Sequence, residues 1–385
     1  MTAPSTGPAA APSSDGPEAL VDLVAQRSII VCCGSGGVGK TTTAAVVALE
    51  GARLGRKTVV VTIDPAKRLA DALGLQGLTD TPSRIEGEWP GELWATMLDT
   101  KSTFDALVVK YAATPEQGER ILANRFYRNI SGALSGTQEY MAMEKLYELH
   151  EEADFDLVVV DTPPTRHALD FLDAPRRLSR FLDHRLFRLL VAPSRGLVKA
   201  VNVAAQTFLR TVSKVVGGDV VDDAIAFFQA FEGMEEGFRQ RATRVNELLA
   251  ALETAFVLVA SPRRDTVEEA QFFADRLGEA GIAVRALIVN RVHPDFGTRV
   301  TEAHANATAS RASTLAGTDL GGLYRNLADF QAVASREHAH LAGLAGTVAP
   351  APVVWVPFLR SDVHDVAGMD EIARHVFGRD VPAAG

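Results

Sequence analysis

A glycine-rich stretch that ends in Lys40 and Thr41 carries the clearest chemical signal of this chain. It reads Gly-Ser-Gly-Gly-Val-Gly-Lys-Thr-Thr, with the spacing Gly-x4-Gly-Lys-Thr. Glycines let a backbone turn so that several N–H groups point at one anion. Lys40 can reach the β- and γ-phosphates of a nucleoside triphosphate, and the Thr41 hydroxyl can bind Mg²⁺. The predicted phosphate-binding residues are Gly34, Ser35, Gly36, Gly37, Val38, Gly39, Lys40, Thr41 and Thr42.

The same glycines also satisfy a second pattern. Gly34, Gly36 and Gly39 match Gly-x-Gly-x-x-Gly, the fingerprint of dinucleotide-binding loops, and Asp64 lies roughly where a ribose-binding acid belongs. A dinucleotide loop has no use for a Lys followed by a hydroxyl, whereas a triphosphate with Mg²⁺ needs both. We therefore favour the phosphate-loop interpretation.

Two aspartates follow apolar strands, and both are candidates for the metal and the chemistry. Asp64 comes after the strand predicted at 58–63, and Asp161 comes after the one at 156–160. Carboxyl ends of parallel strands face the crevice where ligands bind. Asp161 has the form of the acid that holds Mg²⁺ through water in phosphate-loop ATPases. For Asp64 a capping role on the helix that starts after it stays open.

Strands and helices must alternate to position these residues. The apolar run Ile29 to Cys33 predicts a strand that leads into the loop, and a helix follows to about Leu54. Further strands are predicted at 58–63, 93–98, 156–160, 255–260, 283–289 and 353–356, with helices at 264–280, 320–345 and 370–377; 293–318 reads partly as a loop. This order predicts an α/β fold with a mostly parallel, doubly wound sheet.

Helical insertions interrupt the alternation at about 101–150 and 175–252. The first insertion is largely helical and rather polar. In the second, apolar residues recur every three or four positions, for example from Phe228 to Leu249, which predicts an all-helical subdomain. The stripes can pack against one another and the core, or they can form a groove for an apolar partner helix. Leu190, Val191 and Phe227 are consistent with the groove.

Composition limits the remaining classes. The chain has 385 residues, a net charge of −9 and two cysteines. An acidic chain without a long basic stretch argues against a nucleic-acid partner. The sequence has no run of about 20 uninterrupted apolar residues, so it predicts no transmembrane helix. Cys32 and Cys33 face opposite sides of a strand, which disfavours a disulfide and fits the cytoplasm. Residues 1–24 read as a disordered tail and linker, with a short helix as the alternative to a linker over 18–27, and they lack the pattern of a signal peptide.

Together these motifs resemble the ArsA-type ATPase family, which includes arsenite-pump ATPases and the ATPase that targets tail-anchored membrane proteins. The loop is similar to that family's phosphate loop, Asp64-Pro65-Ala66 to its first switch, and Asp161-Thr-Pro-Pro-Thr-Arg-His to its second. The resemblance covers about 25–380, and it implies ATP and Mg²⁺ as cofactors.

The resemblance also implies the roles of single residues. Asp64 would position the attacking water, and Thr41, Asp64 and Asp161 would lie at the metal. Adenine would be held by Asn290, Arg291, Pro357 and Phe358. A dimer with nucleotides near the subunit interface is implied as well.

Three departures from the family pattern bear on activity. The family has Lys where this chain has Ser35, and that Lys reaches the partner's nucleotide. The second switch has Arg166 where the family has Gly. Arg166 can supply the missing charge or pair with Asp170. The family's metalloid-binding cysteines and its Cys-x-x-Cys zinc pair are absent.

These observations predict a nucleotide-switched dimeric ATPase that couples hydrolysis to an apolar or membrane-protein client. One alternative is a weakly active, ATP-binding regulatory subunit in a heterodimer with a paralogous ATPase, because Ser35 replaces the Lys. Another is a subunit of an anion-transport ATPase. A membrane-positioning ATPase fits less well, because the last predicted helix is short and mixed in charge. We expect a homodimer or such a heterodimer in the cytoplasm, with peripheral membrane contact as a further expectation.

Overall fold

An eight-stranded sheet forms the centre of the molecule. The structure is a computed structural model that describes residues 16–64, 68–130, 137–163, 218–294, 302–363 and 365–379. The strands are β1 (Ile29–Gly34), β2 (Lys57–Thr62), β3 (Ser83–Ile85), β4 (Glu92–Met97), β5 (Leu157–Asp161), β6 (Thr254–Ala260), β7 (Val284–Val292) and β8 (Val353–Pro357). Their order is β3-β4-β2-β5-β1-β6-β7-β8, and every neighbouring pair is parallel except β3 with β4. The predicted α/β class and mostly parallel sheet are confirmed.

Helices cover both faces of the sheet. They are α1 (Gly16–Gln26), α2 (Lys40–Arg53), α3 (Arg68–Ala72), α4 (Thr100–Tyr111), α5 (Pro115–Ala123), α6 (Arg125–Ile130), α7 (Thr137–Tyr147), α8 (Gly218–Ala230), α9 (Glu235–Ala250), α10 (Arg264–Glu279), α11 (Glu302–Thr314), α12 (Asp319–Val348) and α13 (Val366–Phe377). A π-helical turn over Glu148–Glu152 continues α7.

The two faces have separate hydrophobic cores because neighbouring strand residues point in opposite directions. One core holds Cys33 with helices α4 to α10 and α12, and the other holds Cys32 with α1, α2, α3 and α13. Both cysteines are buried and free, as their alternation on β1 requires. The phosphate-loop helix α2 thus lies on one face, and the described part of the helical insertions lies on the other.

The described part of the helical insertions packs into the first core. Phe227 of α8, Phe238 and Val245 of α9, and Phe231 in the turn between the two helices are buried against α4 to α7. For these residues the packing interpretation is therefore correct, and Phe227 as a groove residue is wrong. The other groove candidates, Leu190 and Val191, lie outside the described residues.

Three local predictions differ from the structure. Of the two alternatives for 18–27, the linker is wrong and the short helix is correct: α1 begins at Gly16, inside the predicted tail, and buries Leu20 and Val24 against the sheet layer. The partial loop over 293–318 contains α11, an Ala-rich helix that packs along α12. The antiparallel strand β3 was not predicted, since it has only three residues. In the described ranges, no helix combines the length and hydropathy that a membrane span requires.

Candidate functional site

Two glycines shape the turn between β1 and α2. Gly34 has a φ of 152°, and a Cβ there would lie 2.0 Å from the carbonyl oxygen of Val259 on β6. Gly39 has a φ of 92°, and a Cβ there would lie 2.3 Å from Nδ2 of Asn290. Both positions therefore require glycine. The turn leaves the first N–H groups of α2 facing outward at the positive end of the helix, an arrangement that binds anions.

Lys40 is folded back onto the loop that precedes it. Its Nζ donates a 2.8 Å hydrogen bond to the carbonyl oxygen of Ser35, and its side chain is buried. Burial lowers the pKa of Lys40, while the nearby Asp161 carboxylate opposes that shift. The ammonium group is thus already beside the loop, where it can exchange a carbonyl for a phosphate oxygen.

Ser35 points toward the protein interior. Its hydroxyl donates a 2.5 Å hydrogen bond to Oε2 of Glu269 on α10, and Ser35 is 5% exposed. Gly36 and Gly37 form the exposed crest of the loop, and Val38 is buried beneath it. The chain places no cation at position 35, and the side chain that is present contacts α10.

The carboxyl end of β7 supports the loop from behind. Asn290 donates a 2.9 Å hydrogen bond from Nδ2 to the carbonyl oxygen of Val38, and its Oδ1 accepts one from the N–H of Arg291. Arg291 has a φ of 61° and donates to the carbonyl oxygen of Gly37 at 3.2 Å. The Asn290 side chain therefore bonds to the loop through Nδ2 and to its own strand through Oδ1, and its predicted contact with adenine stays a prediction.

Asp161 lies at the centre of a hydroxyl cluster. Its Oδ2 accepts a 2.8 Å hydrogen bond from Thr41 Oγ1 and a 2.9 Å hydrogen bond from Thr62 Oγ1. The Thr62 hydroxyl also accepts a 3.3 Å hydrogen bond from the N–H of Asp64. Thr62 therefore connects the two candidate acidic residues, one through its side chain and the other through its backbone.

The Asp161 carboxyl fits a site for Mg²⁺. Its Oδ1 is buried and has no hydrogen-bond partner in the part of the chain that the structure describes. Burial raises the pKa of Asp161 to about 6, against the favourable effects of the Thr41 and Thr62 hydroxyls and Lys40. A hard divalent cation with its water shell prefers such oxygen donors. Thr41 and Asp161 are therefore the residues that would hold Mg²⁺, and the predicted place of Asp64 at the metal stays a prediction.

Asp64 lies at the same edge of the sheet. Its carboxylate contributes to the raised pKa of Asp161, after burial, and it is 3.5 Å from the Arg68 guanidinium. The preceding residue, Ile63, donates its N–H to the carbonyl oxygen of Asp161 at 3.1 Å. Gln138 of α7 donates to the Ile63 carbonyl oxygen at 3.1 Å. The backbone that carries Asp64 is thus held on both sides.

A cavity of about 530 Å³ borders the crest of the loop at Gly36 and Gly37. Arg291, His293 and Phe358 line it; Phe358 is 61% exposed, and its ring stacks on His293 with centroids 6.4 Å apart. Pro357 ends β8 next to this rim. An exposed aromatic ring at the mouth of a cavity of this size suits a planar base.

The structure brings most of the predicted site together. The loop residues through Thr42, with Asp64 and Asp161, lie at the carboxyl ends of β1, β2 and β5. Arg166 lies outside the described residues. Three residues of the site were not predicted: Thr62, Gln138 and Glu269. Thr62 has a sequence signal, since it is a hydroxyl at the end of an apolar strand, whereas the two others contact the site only through the tertiary fold.

Comparison with known proteins agrees with this geometry. The family described as anion-transporting ATPase, ArsA_ATPase, matches residues 27–313. ATPase GET3 of Malassezia globosa is 27% identical over 287 residues, which cover 74% of this chain and 79% of that protein. The ATPase ASNA1 homolog of Dictyostelium discoideum is 27% identical over 263 residues, covering 67% and 70%. The putative arsenical pump-driving ATPase 2 of Aquifex aeolicus is 25% identical over 272 residues, covering 68% and 79%. The chain therefore belongs to the ArsA family of anion-transporting ATPases, and it is an ATPase.

Proposed function

We propose that this chain is a nucleotide-switched ATPase in which water attacks the γ-phosphate in line. Lys40 and the N–H groups of the loop stabilise the phosphate charge, and Asp64 orients the water. Bound at Thr41 and Asp161, Mg²⁺ would supply charge neutralisation at the β- and γ-phosphate oxygens. The nucleoside part would occupy the cavity beside Phe358, and ATP is the expected nucleotide.

One observation carries this proposal. The Thr41 hydroxyl and the partly unpartnered carboxylate of Asp161 lie 2.8 Å apart at the N-terminus of α2, and Lys40 is held against the same loop. A protein that only binds a nucleotide has no need of a second acid, Asp64, at this edge of the sheet. The pair of acids therefore favours hydrolysis by this chain over binding alone.

The test is steady-state ATP turnover by the purified chain with Mg²⁺. We expect Lys40→Ala and Asp64→Asn each to lower kcat by at least about 100-fold, since each removes a group that acts on the transition state. Lys145→Ala is a matched control, because Lys145 is also a buried lysine but pairs with Glu148. Unchanged turnover in both site variants would contradict the proposal.

The client belongs to the proposal as well. The family resemblance supports an apolar segment or a membrane-protein complex as the client, handled in a dimer that ATP opens and closes. A cytoplasmic location with peripheral membrane contact is part of the same proposal. Cosedimentation of the chain with a peptide that carries an apolar helix, with and without ATP, tests it. Binding that does not respond to ATP would contradict nucleotide switching.

A second candidate is a weakly active subunit of a heterodimer, and the orientation of Ser35 favours it. With Ser35 turned toward Glu269, this chain offers no cation from position 35 to a partner's nucleotide. Turnover of the chain alone, measured over a range of protein concentrations, separates the two. A self-sufficient homodimer gains specific activity with concentration, whereas slow turnover at every concentration supports the heterodimer. The anion-transport subunit remains a third candidate, which the family description supports.

A further inference from the structure

The helix α7 contacts the nucleotide edge of the sheet at one end and the helical layer further along. Its second residue, Gln138, donates an Nε2 hydrogen bond of 3.1 Å to the carbonyl oxygen of Ile63. Ile63 is buried, and its N–H donates to the carbonyl oxygen of Asp161. Ile63, the residue before Asp64, is therefore bonded through its N–H to the end of β5 and through its carbonyl oxygen to α7.

Two turns further along, α7 is tied to α9 by a buried ion pair. Glu144 is 1% exposed and accepts a 2.6 Å hydrogen bond from Nε of Arg241, which is 5% exposed. Arg241 also bonds to Glu152 at 2.9 Å and lies 3.6 Å above the Tyr147 ring. The Arg241 guanidinium therefore has two carboxylate partners and an aromatic ring around it, and these contacts hold α7 against α9.

The span between these two contacts is short and regular. Gln138 and Glu144 are six positions apart on the helix, or about 9 Å along its axis. Met141 and Met143, between them, are buried in the core. Between the two contacts α7 is thus one continuous, packed helix, the kind of rigid element through which two sites can be coupled.

We propose that Gln138 is a positioning residue: its hydrogen bond to the Ile63 carbonyl oxygen fixes the position of Asp64. We propose further that α7 couples the nucleotide site to α9. Movement of the Asp64 backbone on nucleotide binding shifts the hydrogen-bond partner of Gln138, and the Glu144–Arg241 pair passes that shift to the helical layer. This inference rests on the proposed function, because it concerns the group that orients the attacking water.

The first test compares kcat and nucleotide affinity in the full-length chain. Gln138→Glu keeps the shape of the side chain but removes the donor at neutral pH. We expect kcat to fall about tenfold, in line with one hydrogen bond that positions a reacting group. The Kd for a non-hydrolysable ATP analogue with Mg²⁺ is expected to stay within about twofold, since the phosphate-binding groups are intact.

A matched control is Gln271→Glu on α10. Gln271 also links its helix to another element through its side-chain amide, which donates to Thr347 on α12, and its hydrogen bonds in the described residues are remote from the phosphate loop and the two acids. Its kcat should equal that of the wild type. A kcat for Gln138→Glu within twofold of the wild type would overturn the positioning role.

The second test is hydrogen exchange, which needs no turnover. In Gln138→Ala we expect faster exchange of the Ile63 and Asp64 amides without ligand, because the peptide has lost one anchor. In the wild type, the ATP analogue with Mg²⁺ should change the protection of α9, and in the variant this response should be lost. Equal exchange at Ile63 and Asp64, or an equal response of α9, overturns the inference.

The two tests separate this inference from the proposed function. If the wild type binds the analogue but shows no turnover, hydrolysis by this chain fails, and exchange at Ile63 and α9 still decides the role of Gln138. If the wild type hydrolyses ATP and Gln138→Glu is unimpaired, only the inference about α7 fails.

Discussion

The hydroxyl of Ser35 donates a 2.5 Å hydrogen bond to Oε2 of Glu269, which joins the phosphate loop to the first turns of α10. This is the loop position at which the family resemblance leads one to expect a lysine directed at the partner subunit. In this chain the position is 5% exposed, and its side chain faces a carboxylate of its own subunit. The pairing therefore explains how a small hydroxyl residue is accommodated there.

Ser35→Lys alone should leave turnover within about threefold of the wild type. A lysine at this position starts beside Glu269, and a charge-assisted pair within the subunit would hold the ammonium group there. Ser35→Lys combined with Glu269→Gln removes that partner and should raise kcat by at least about tenfold, a modest part of what a transition-state cation supplies. The measurement is ATP turnover at saturating substrate, with Glu269→Gln alone as the control. A large gain from Ser35→Lys alone would show that Glu269 does not retain the cation.

Thr62→Val should lower kcat by about 10- to 100-fold with little change in KM for ATP. The substitution keeps the volume but removes the hydroxyl that bonds both Asp161 Oδ2 and the N–H of Asp64, so both acids lose orientation. Thr96→Val is the matched control, because Thr96 is equally buried on β4 but donates to Thr79, away from the loop. If the two variants have the same kcat, Thr62 does not organise the site.

Asp161→Asn should stabilise the ligand-free and metal-free protein at pH 8 while it abolishes turnover. The folded-state pKa of Asp161 is about 6 and its ordinary value is 3.8, so between these values the unfolded state loses its proton first. The wild type therefore loses stability as pH rises through this window, by up to about 3 kcal/mol. Urea unfolding of both proteins at pH 4.5 and pH 8 measures the difference.

The difference between the Asp161→Asn variant and the wild type should shrink toward zero as pH falls below about 4. Asp329→Asn, at an exposed position on α12, is the control and should show no such trend. If the difference in unfolding free energy between the two proteins is the same at both pH values, burial does not destabilise the ionised form of Asp161. The same ionisation predicts that wild-type turnover at limiting Mg²⁺ declines below about pH 6.

Arg241→Met should lower the free energy of unfolding by about 3–5 kcal/mol, because it leaves the Glu144 carboxylate buried without its cation. Burial raises the pKa of Glu144, and the Arg241 charge opposes that rise. Arg239→Met on the same helix is the control; its pair with Glu236 is largely exposed and should contribute less than about 1 kcal/mol. Urea denaturation gives both values. The double variant with Glu144→Gln should recover at least half of the loss, and failure to do so would contradict the ion-pair explanation.

The sequence by itself determined the chemistry and most of the sheet. Lys40 and Thr41 after a glycine-rich turn specify a phosphate site because the loop is built from consecutive residues. The strands that end at Asp64 and Asp161 are continuous apolar runs, which a sheet covered on both faces requires. Such features are formed by consecutive residues, so they can be recognised in the sequence without knowledge of the fold.

Local patterns were insufficient where an element depends on its neighbours. The helix α11 is rich in Ala, Ser and Thr and lacks a strong apolar stripe, and its place is set by packing along α12. The helix α1 follows a polar, Ala- and Pro-rich segment, and the burial of Leu20 and Val24, with Val21 and Leu23 packed beside them, holds it against the sheet layer. In both cases tertiary contacts outweighed the intrinsic signal.

Only the tertiary structure decided which distant residues complete the site. Glu269 is 234 positions from Ser35, and Gln138 is 75 positions from Ile63. These pairs meet because β1 lies between β5 and β6 in the sheet, which brings α10 to the phosphate loop, while β2 beside β5 brings Asp64 to Asp161. Hydrophobic periodicity specifies strands and helices but carries no information on strand order, so the sequence could name the loop and its acids but not the residues that hold them in place.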